Sequence, residues 1–475
     1  MSFRTSPPST SSPFEIVRRS CLLSEDLPFA DALTAEHIDE AFKAEGVNFG
    51  ESGDQPVYTR AVTLWAMVSQ GLFTGVQRAC SATVFRVAAY YALLGLDIST
   101  NTGAYCRARA KVGERVVQRL TEGIAVRCEA AVPEAWKWLG KTVHLVDGST
   151  HSAPDTPENQ AEYPQPSSQA AGVGFPLLRT LAIVSLATCM IKAFAIGPYA
   201  GKETGETALL RTLFEKLKSG EVVLADRYHA GWFMLALLKV LGVDFVVRLH
   251  QHRRADFRRG RRLGAKDHLV TWKKPQRPKW MDQETYDSLP KVLEVRETYV
   301  PVNVDGFRTK SLVVASSFLD AEAVSAEDLA DLYRQRWRVE LHLRDIKSTM
   351  KLGVLRGETP ARLRQELWTG LLAYNLVRQS MLQAAIKDDL HPHHLSFAAG
   401  LQSLETTWLI AALPENTPLT RESLVAVHLL CGVSRRVGNR PDRVEPRAIK
   451  RRPSPHKLLR ETRAAALAKL RQRAA

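Results

Sequence analysis

The stretch LADLYRQRWRVELHLRDIKSTM, residues 329–350, decides how the rest of the chain is read. Wound as one α-helix, it brings Leu332, Val339, Leu343, Ile346 and Met350 within roughly 60° of one another. That is an apolar stripe fit to lie against a core. Measured from Tyr333, Arg336 falls at about −60°, Glu340 at about −20° and Lys347 at about −40° on the same wheel. A solvated charged face is the plain account of such a group. Against it, the stripe runs alongside, a carboxylate stands among cations, and a tyrosine ring is poorly used in open solvent. Beside a polyanion the face makes sense. Arg and Lys hold phosphates, Tyr donates to a phosphate oxygen, and Glu340 ligates a divalent cation that bridges it to the phosphate.

The spacing of Tyr333, Arg336, Glu340 and Lys347 resembles the signature of the IS4 family of DDE transposases, relatives of the Tn5 transposase. The segments LRGETP (355–360), LLAYN (371–375) and the Arg/Pro-rich run over 440–453 also resemble family segments that follow the signature helix. The resemblance runs from about residue 141 to 456, with a weaker likeness upstream.

The 475 residues are enough for two to four domains with real cores. A net charge of +15 and a pI near 9.6 point to an anionic partner, without choosing between nucleic acid and a membrane surface. The N-terminal MSFRTSPPSTSSPF has no apolar signal-peptide core, and the apolar run over 181–191 is too short to span a bilayer. Six scattered cysteines with no CxxC pair form neither a zinc site nor a disulfide framework. A reducing, cytoplasmic and nucleoid-associated setting in a bacterium fits.

Taken in order, residues 1–138 read as a helical N-terminal region. A turn around 95–101 followed by TGAYCRARAK is compatible with a helix-turn-helix DNA reader carrying Arg107, Arg109 and Lys111. A bundle with a solvated basic face fits equally, and the family resemblance favours DNA binding. Residues 139–250 read as the first part of an α/β core. Strands are expected at 142–147, 177–188, 190–196, 221–226 and 244–249, with helices at 203–217 and 231–241. This order suits a ribonuclease-H-like fold, as the resemblance also implies. Residues 251–306 read as a mainly β insertion with a basic surface. Residues 307–380 return to the core with the signature helix, for which Ser325 is the expected N-cap. Residues 381–475 read as a helical region with a basic tail. Fourteen Lys and Arg, among them Lys450, Arg451 and Arg452, face three acids after residue 434, the pattern of a DNA-binding arm. The His391, His393, His394 group reads as a loop beside Pro392, since no carboxylate or cysteine lies near it in sequence.

Ligands in open α/β sheets collect at the carboxyl ends of strands. Asp147 and Asp226 each end an expected apolar strand, and Glu340 would reach them from the signature helix. Each Asp also reads as an ordinary turn residue. Asp155, Glu158, Glu203 and Glu206 are rival carboxylates, none at the end of a buried strand. The resemblance implies that Asp147, Asp226 and Glu340 are the catalytic triad holding Mg²⁺, with Mn²⁺ as a substitute. It implies that Arg227 follows the second Asp as in relatives, and that Tyr333, Arg336 and Lys347 grip phosphates. The implied reaction is hydrolysis of a phosphodiester at the element's end, then attack by the freed 3′-OH on the opposite strand or on target DNA. The implied partners are double-stranded terminal repeats and target DNA, and a second copy of the chain.

Relatives that form hairpins place a base-stacking Trp at the start of the strand leading to the signature helix. Here that place is Ser311 or Leu312, which leaves Trp272 and Trp280 as the expected substitutes. Two other functions fit the same residues: a DNA-binding derivative without catalysis, and a metal-dependent nuclease without strand transfer.

Overall fold

The computed structural model describes residues 33–49, 57–93, 96–302, 311–411, 433, 436 and 461–474. Lys450, Arg451 and Arg452 lie outside the described residues. Among the described residues, five α-helices come first: α1 (Ala35–Ala44), α2 (Arg60–Leu72), α3 (Cys80–Leu93), α4 (Thr102–Lys111) and α5 (Glu114–Ala130). Then β1 (Val143–Ser152), α6 (Pro157–Glu162), β2 (Leu177–Ser185) and β3 (Ile191–Pro198) begin a sheet. It continues through α7 (Glu206–Arg211), β4 (Val222–Ala225), α8 (Trp232–Val240) and β5 (Asp244–Arg248).

The sheet has nine strands in the order β3-β2-β1-β4-β5-β9-β8-β7-β6. β6 (Arg261–Gly264), β7 (Asp267–Lys273) and β8 (Val292–Pro301), with the short α9 (Gln283–Ser288), come from the expected insertion. They do not stand apart from the core. β8 pairs antiparallel with β9 (Ser311–Ser316), which pairs with β5, so the insertion extends the main sheet.

Period-two alternation splits the core into two faces. Val143, Leu145, Val222, Leu224 and Val246 pack with the N-terminal helices and the signature helix. Val146, Val223, Ala225, Phe245 and Val247 pack on the other face, with α7 and α8. The helix expected over 203–217 is shorter than expected. It stops at Arg211 and tightens to a 3₁₀ turn at Phe214–Lys216, which keeps Leu213 and Leu217 in the same core as Leu209 and Leu210.

The signature region is not one straight helix either. α10 (Ala326–Arg334) passes through a 3₁₀ turn at Gln335–Trp337 into α11 (Arg338–Arg344), which widens into a π-turn at Asp345–Thr349. The apolar stripe survives these changes of winding: Leu332, Val339, Leu343, Ile346 and Met350 are all buried. Ser325 caps α10 in a full capping box with Asp328, the shorter acid serving as well as Glu. Next, α12 (Pro360–Lys387) runs through the first core, and α13 (Phe397–Ala411) packs on it. The Asn375 amide joins α12 to its neighbours. It accepts from the Ile191 N–H at 2.9 Å and donates to the Ile191 and Thr121 carbonyls at 3.0 Å.

One buried ion pair ties the insertion to the signature helix. Arg296 of β8, fully buried, grips Asp267 of β7 through Nε at 2.9 Å and Nη2 at 2.6 Å. Its Nη1 donates to the carbonyl of Val324, one residue before the Ser325 cap, at 2.6 Å. The cysteines at 80, 106, 128 and 189 are free, and no helix among the described residues is long and apolar enough to cross a membrane. Removing one partner of a buried pair strands the other charge, at a cost of about 3–5 kcal/mol. Asp267→Asn therefore lowers the unfolding free energy, read from urea melts, by that order; a value unchanged within error would mean Arg296 finds another counter-charge.

Candidate active site

β1 and β4 are parallel, with Val146 opposite Ala225. The next residue on each is an aspartate, Asp147 on one strand and Asp226 on the other. In phase with Val143 and Leu145, Asp147 belongs to the face that the signature helix covers; Asp226 is likewise in phase with Val222 and Leu224. Asp226 comes directly after β4, and its Oδ1 caps the following turn by accepting from the Tyr228 N–H at 2.8 Å. Asp147 does not end its strand. β1 runs on to Ser152 because β2 pairs with it all the way from His144 to Ser152. Asp147 and Gly148 therefore form no turn. Asp147 instead sits where β4 has stopped, on an edge of β1 that meets its next strand-like contact only at the Ser152–Val354 bridge.

The signature helix delivers Arg336 and Glu340 to this edge. Arg336 Nη1 lies 3.7 Å from Asp147 Oδ2, and its Nη2 donates to Glu340 Oε1 at 2.6 Å. One guanidinium thus spans two of the three acids. Burial pushes the Asp147 carboxyl up to about 6. The Gly148 N–H and Arg336 work against that rise, while Asp226 and Glu340 add to it. Tyr333 is buried, which drives its hydroxyl up to about 12, and it interacts with Arg336, Arg248 and Asp226. Lys347 is half-buried, its ammonium pushed down by that burial, and it acts on His151 further along β1. Tyr333, Arg336 and Glu340 therefore meet at the aspartates, and Lys347 lies toward the far end of the same strand.

Other expected residues are placed elsewhere. Arg227 is exposed directly after Asp226. Arg107 and Lys111 are exposed on α4, where Lys111 Nζ donates to the Phe49 carbonyl at 3.0 Å. Arg109 turns inward, donating to Gln70 Oε1 at 3.1 Å with its guanidinium 5.7 Å from the Tyr105 ring. Trp272 is closed to a base. It is 5% exposed, its Nε1 donates to Glu297 Oε1 at 3.0 Å, and Arg253 lies 3.9 Å above its ring. Trp280 is half-buried with Arg211 at 3.9 Å over its ring. Of the three histidines at 391–394, His391 stacks on His393 and His394 meets both edge-on, around a short 3₁₀ turn.

Two residues escaped the sequence reading. Trp337, between Arg336 and Glu340, is 54% exposed, and Tyr228 beside Asp226 is 51% exposed. Their places, Trp337 inside the signature stretch and Tyr228 two residues after Asp226, were the available signal. Glu206, one of the rival carboxylates in the sequence, interacts with both aspartates. Burial raises its carboxyl, and Asp147 and Asp226 raise it further.

Residues 138–376 match the family described as Transposase DDE domain. The chain belongs to the DDE transposases. Over 363 residues it is 30% identical to transposase InsG for insertion sequence element IS4 of Escherichia coli (strain K12), covering 74% of this chain and 76% of that protein. A piggyBac transposase synaptic complex with hairpin DNA is similar over 89% of this chain and 86% of that chain, with 11% identity and a TM-score of 0.39. As an IS4-family DDE transposase, the protein is an enzyme acting on DNA in transposition.

The donor set fits the divalent cations this family uses: hard carboxylate oxygens, no thiolate, and more negative charge than Arg336 can balance. No three of these acids among the described residues stand close enough to form a finished metal cluster, since Arg336 occupies the gap between Asp147 and Glu340. The imbalance has a signature in the metal-free protein. A carboxyl raised to about 6 binds its proton more tightly folded than unfolded, so its contribution to stability is full below about pH 4 and is lost as pH rises through 6. Asp147→Asn removes that loss and stabilises the metal-free protein at pH 7 by up to about 3 kcal/mol relative to the same comparison at pH 4. Thermal melts in EDTA at both pH values measure it; a pH-independent difference would mean that Asp147 ionises freely in the fold.

Proposed function

We propose that this transposase cuts the ends of its insertion sequence and joins them to target DNA, with Asp147, Asp226 and Glu340 holding Mg²⁺, or Mn²⁺ in its place. The observation that carries this is the parallel register that sets Asp147 beside Asp226, with Arg336 and Glu340 brought to the same edge by one helix. The strand order β3-β2-β1-β4-β5, with β1, β4 and β5 parallel and β2 antiparallel, supports a ribonuclease-H-like core. Held by Asp147, Asp226 and Glu340, divalent ions would supply activation of the attacking hydroxyl and charge stabilisation at the leaving oxygen. The chain's own residues do the rest. Arg336 turns from the carboxylates toward a phosphate, Tyr333 holds that guanidinium from its buried side, and Lys347 grips the backbone further along β1. Arg227, Arg107, Lys111 and the basic tail supply electrostatic affinity for double-stranded DNA. Two copies, one at each terminal repeat, would act as a homodimer.

Asp147→Asn, Asp226→Asn and Glu340→Gln each abolish Mg²⁺-dependent cleavage of a labelled element end while leaving end binding within a few-fold, as read on one gel for products and one for complexes. Full cleavage by any of the three removes that residue from the triad. Cut DNA that is never joined would make the enzyme a nuclease.

Trp337 is the aromatic best placed to stack on a flipped base, being exposed between two residues that face the triad. Stacking returns about 1–3 kcal/mol of the unstacking cost. Trp337→Ala therefore spares the first nick and slows hairpin formation roughly tenfold to a hundredfold. A time course resolving nicked, hairpin and blunt ends tests this, and equal rates at every step would exclude Trp337.

A further inference from the structure

Glu206 opens α7 on the face of the sheet opposite the signature helix, since Leu209 and Leu210 behind it belong to the second core. It nevertheless senses both Asp147 and Asp226. The route between them is Gly148. A Cβ at that position would lie 2.3 Å from Glu206 Cδ and Oε1, so the Glu206 side chain occupies the space that any other residue's side chain would need. The β4 pairing has ended by this point, so β4 does not cover that edge of β1 at Gly148. Glu340 approaches from one side and Glu206 from the other.

A second observation is independent of the acids. His229, in the turn that Asp226 caps, is 2% exposed, and neither of its ring nitrogens has a hydrogen-bond partner. Its Nε2 points at Glu206, 3.9 Å from Oε2, beyond hydrogen-bonding distance. A buried imidazole with both nitrogens unpaired is costly, and such groups are kept where a ligand or its coordinating residue completes them.

We propose that Glu206 is a fourth carboxylate of the cation site, reaching the open edge of β1 through the gap left by Gly148, with His229 as its positioning residue. This rests on the reading of Asp147 and Asp226 as cation ligands. It adds an oxygen donor from the face of the sheet that the signature helix does not cover.

The test is titration of the full-length protein, without DNA, with Mn²⁺, following free Mn²⁺ by electron paramagnetic resonance. Glu206→Gln keeps the shape that fills the Gly148 gap and removes the charge. It raises the Kd for Mn²⁺ by about 10–100-fold, the range seen when groups supporting a metal site are altered, and Asp147→Asn raises it as well. Loss with Asp147→Asn and a Kd within twofold of wild type with Glu206→Gln overturns the inference and leaves the proposed function standing. A Kd unchanged by Asp147→Asn overturns both. Should Glu206→Gln fail to fold by circular dichroism, Glu206→Asp retains the charge and retracts it by one methylene; it weakens Mn²⁺ in the same direction, and an unchanged Kd counts against the ligand role. His229→Phe keeps the ring volume without the nitrogens. It weakens Mn²⁺ in the wild-type background and adds nothing to Glu206→Gln, whereas equal effects in both backgrounds would mean that His229 does not act through Glu206.

Discussion

The register between β1 and β4 is the constraint on which the site depends. Parallel pairing puts Val146 beside Ala225, so the aspartates that follow must emerge side by side and, by the alternation of strand side chains, toward the same face. A slip of one residue would send Asp147 to the face packed by α7 and α8 and would bury it among Leu181, Ile183 and Val223. The core therefore enforces the pairing of the two aspartates. Every apolar side chain that holds these two strands in phase also holds two like charges together.

Charge repulsion is tolerated because Arg336 lies between Asp147 and Glu340. The cation comes from the protein itself, on the helix that carries the third acid. A guanidinium there, 3.7 Å from Asp147 and 2.6 Å from Glu340, offsets part of the negative charge that the two carboxylates bring together.

Much of this was legible in the sequence, and the failures are instructive. The apolar stripe of residues 329–350 predicted burial correctly even though the helix changes winding twice, because neighbouring turns of 3₁₀ and π type partly cancel in phase. The end of β1 was misread because Asp147-Gly148 has the composition of a turn. Gly148 is there for the close approach of Glu206, a long-range contact that no local rule contains. Glu206 was set aside because it ends no strand; its place follows from α7 crossing over the sheet. Arg109 looked like part of a basic face, yet Tyr105 and Gln70 draw it inward, and helical periodicity alone does not separate the two when apolar neighbours are few. Trp272 shows the opposite trap, an aromatic in a basic stretch whose buried side is taken by Glu297.

The insertion has a consequence for how this fold can be shortened. β9 lies between β5 and β8, so a chain lacking residues 251–306 would not revert to a smaller finished sheet. It would end on β9, six residues of apolar strand with an entire row of backbone donors and acceptors bare. Such an edge is a template for another chain, and aggregation is its usual outcome. The edge strand on this side of the intact sheet is β6, four residues long with Arg261 and Arg262 exposed and its pairing irregular. It is a poor template. What reads in sequence as an excursion from the catalytic core is also the guard on that core's open side.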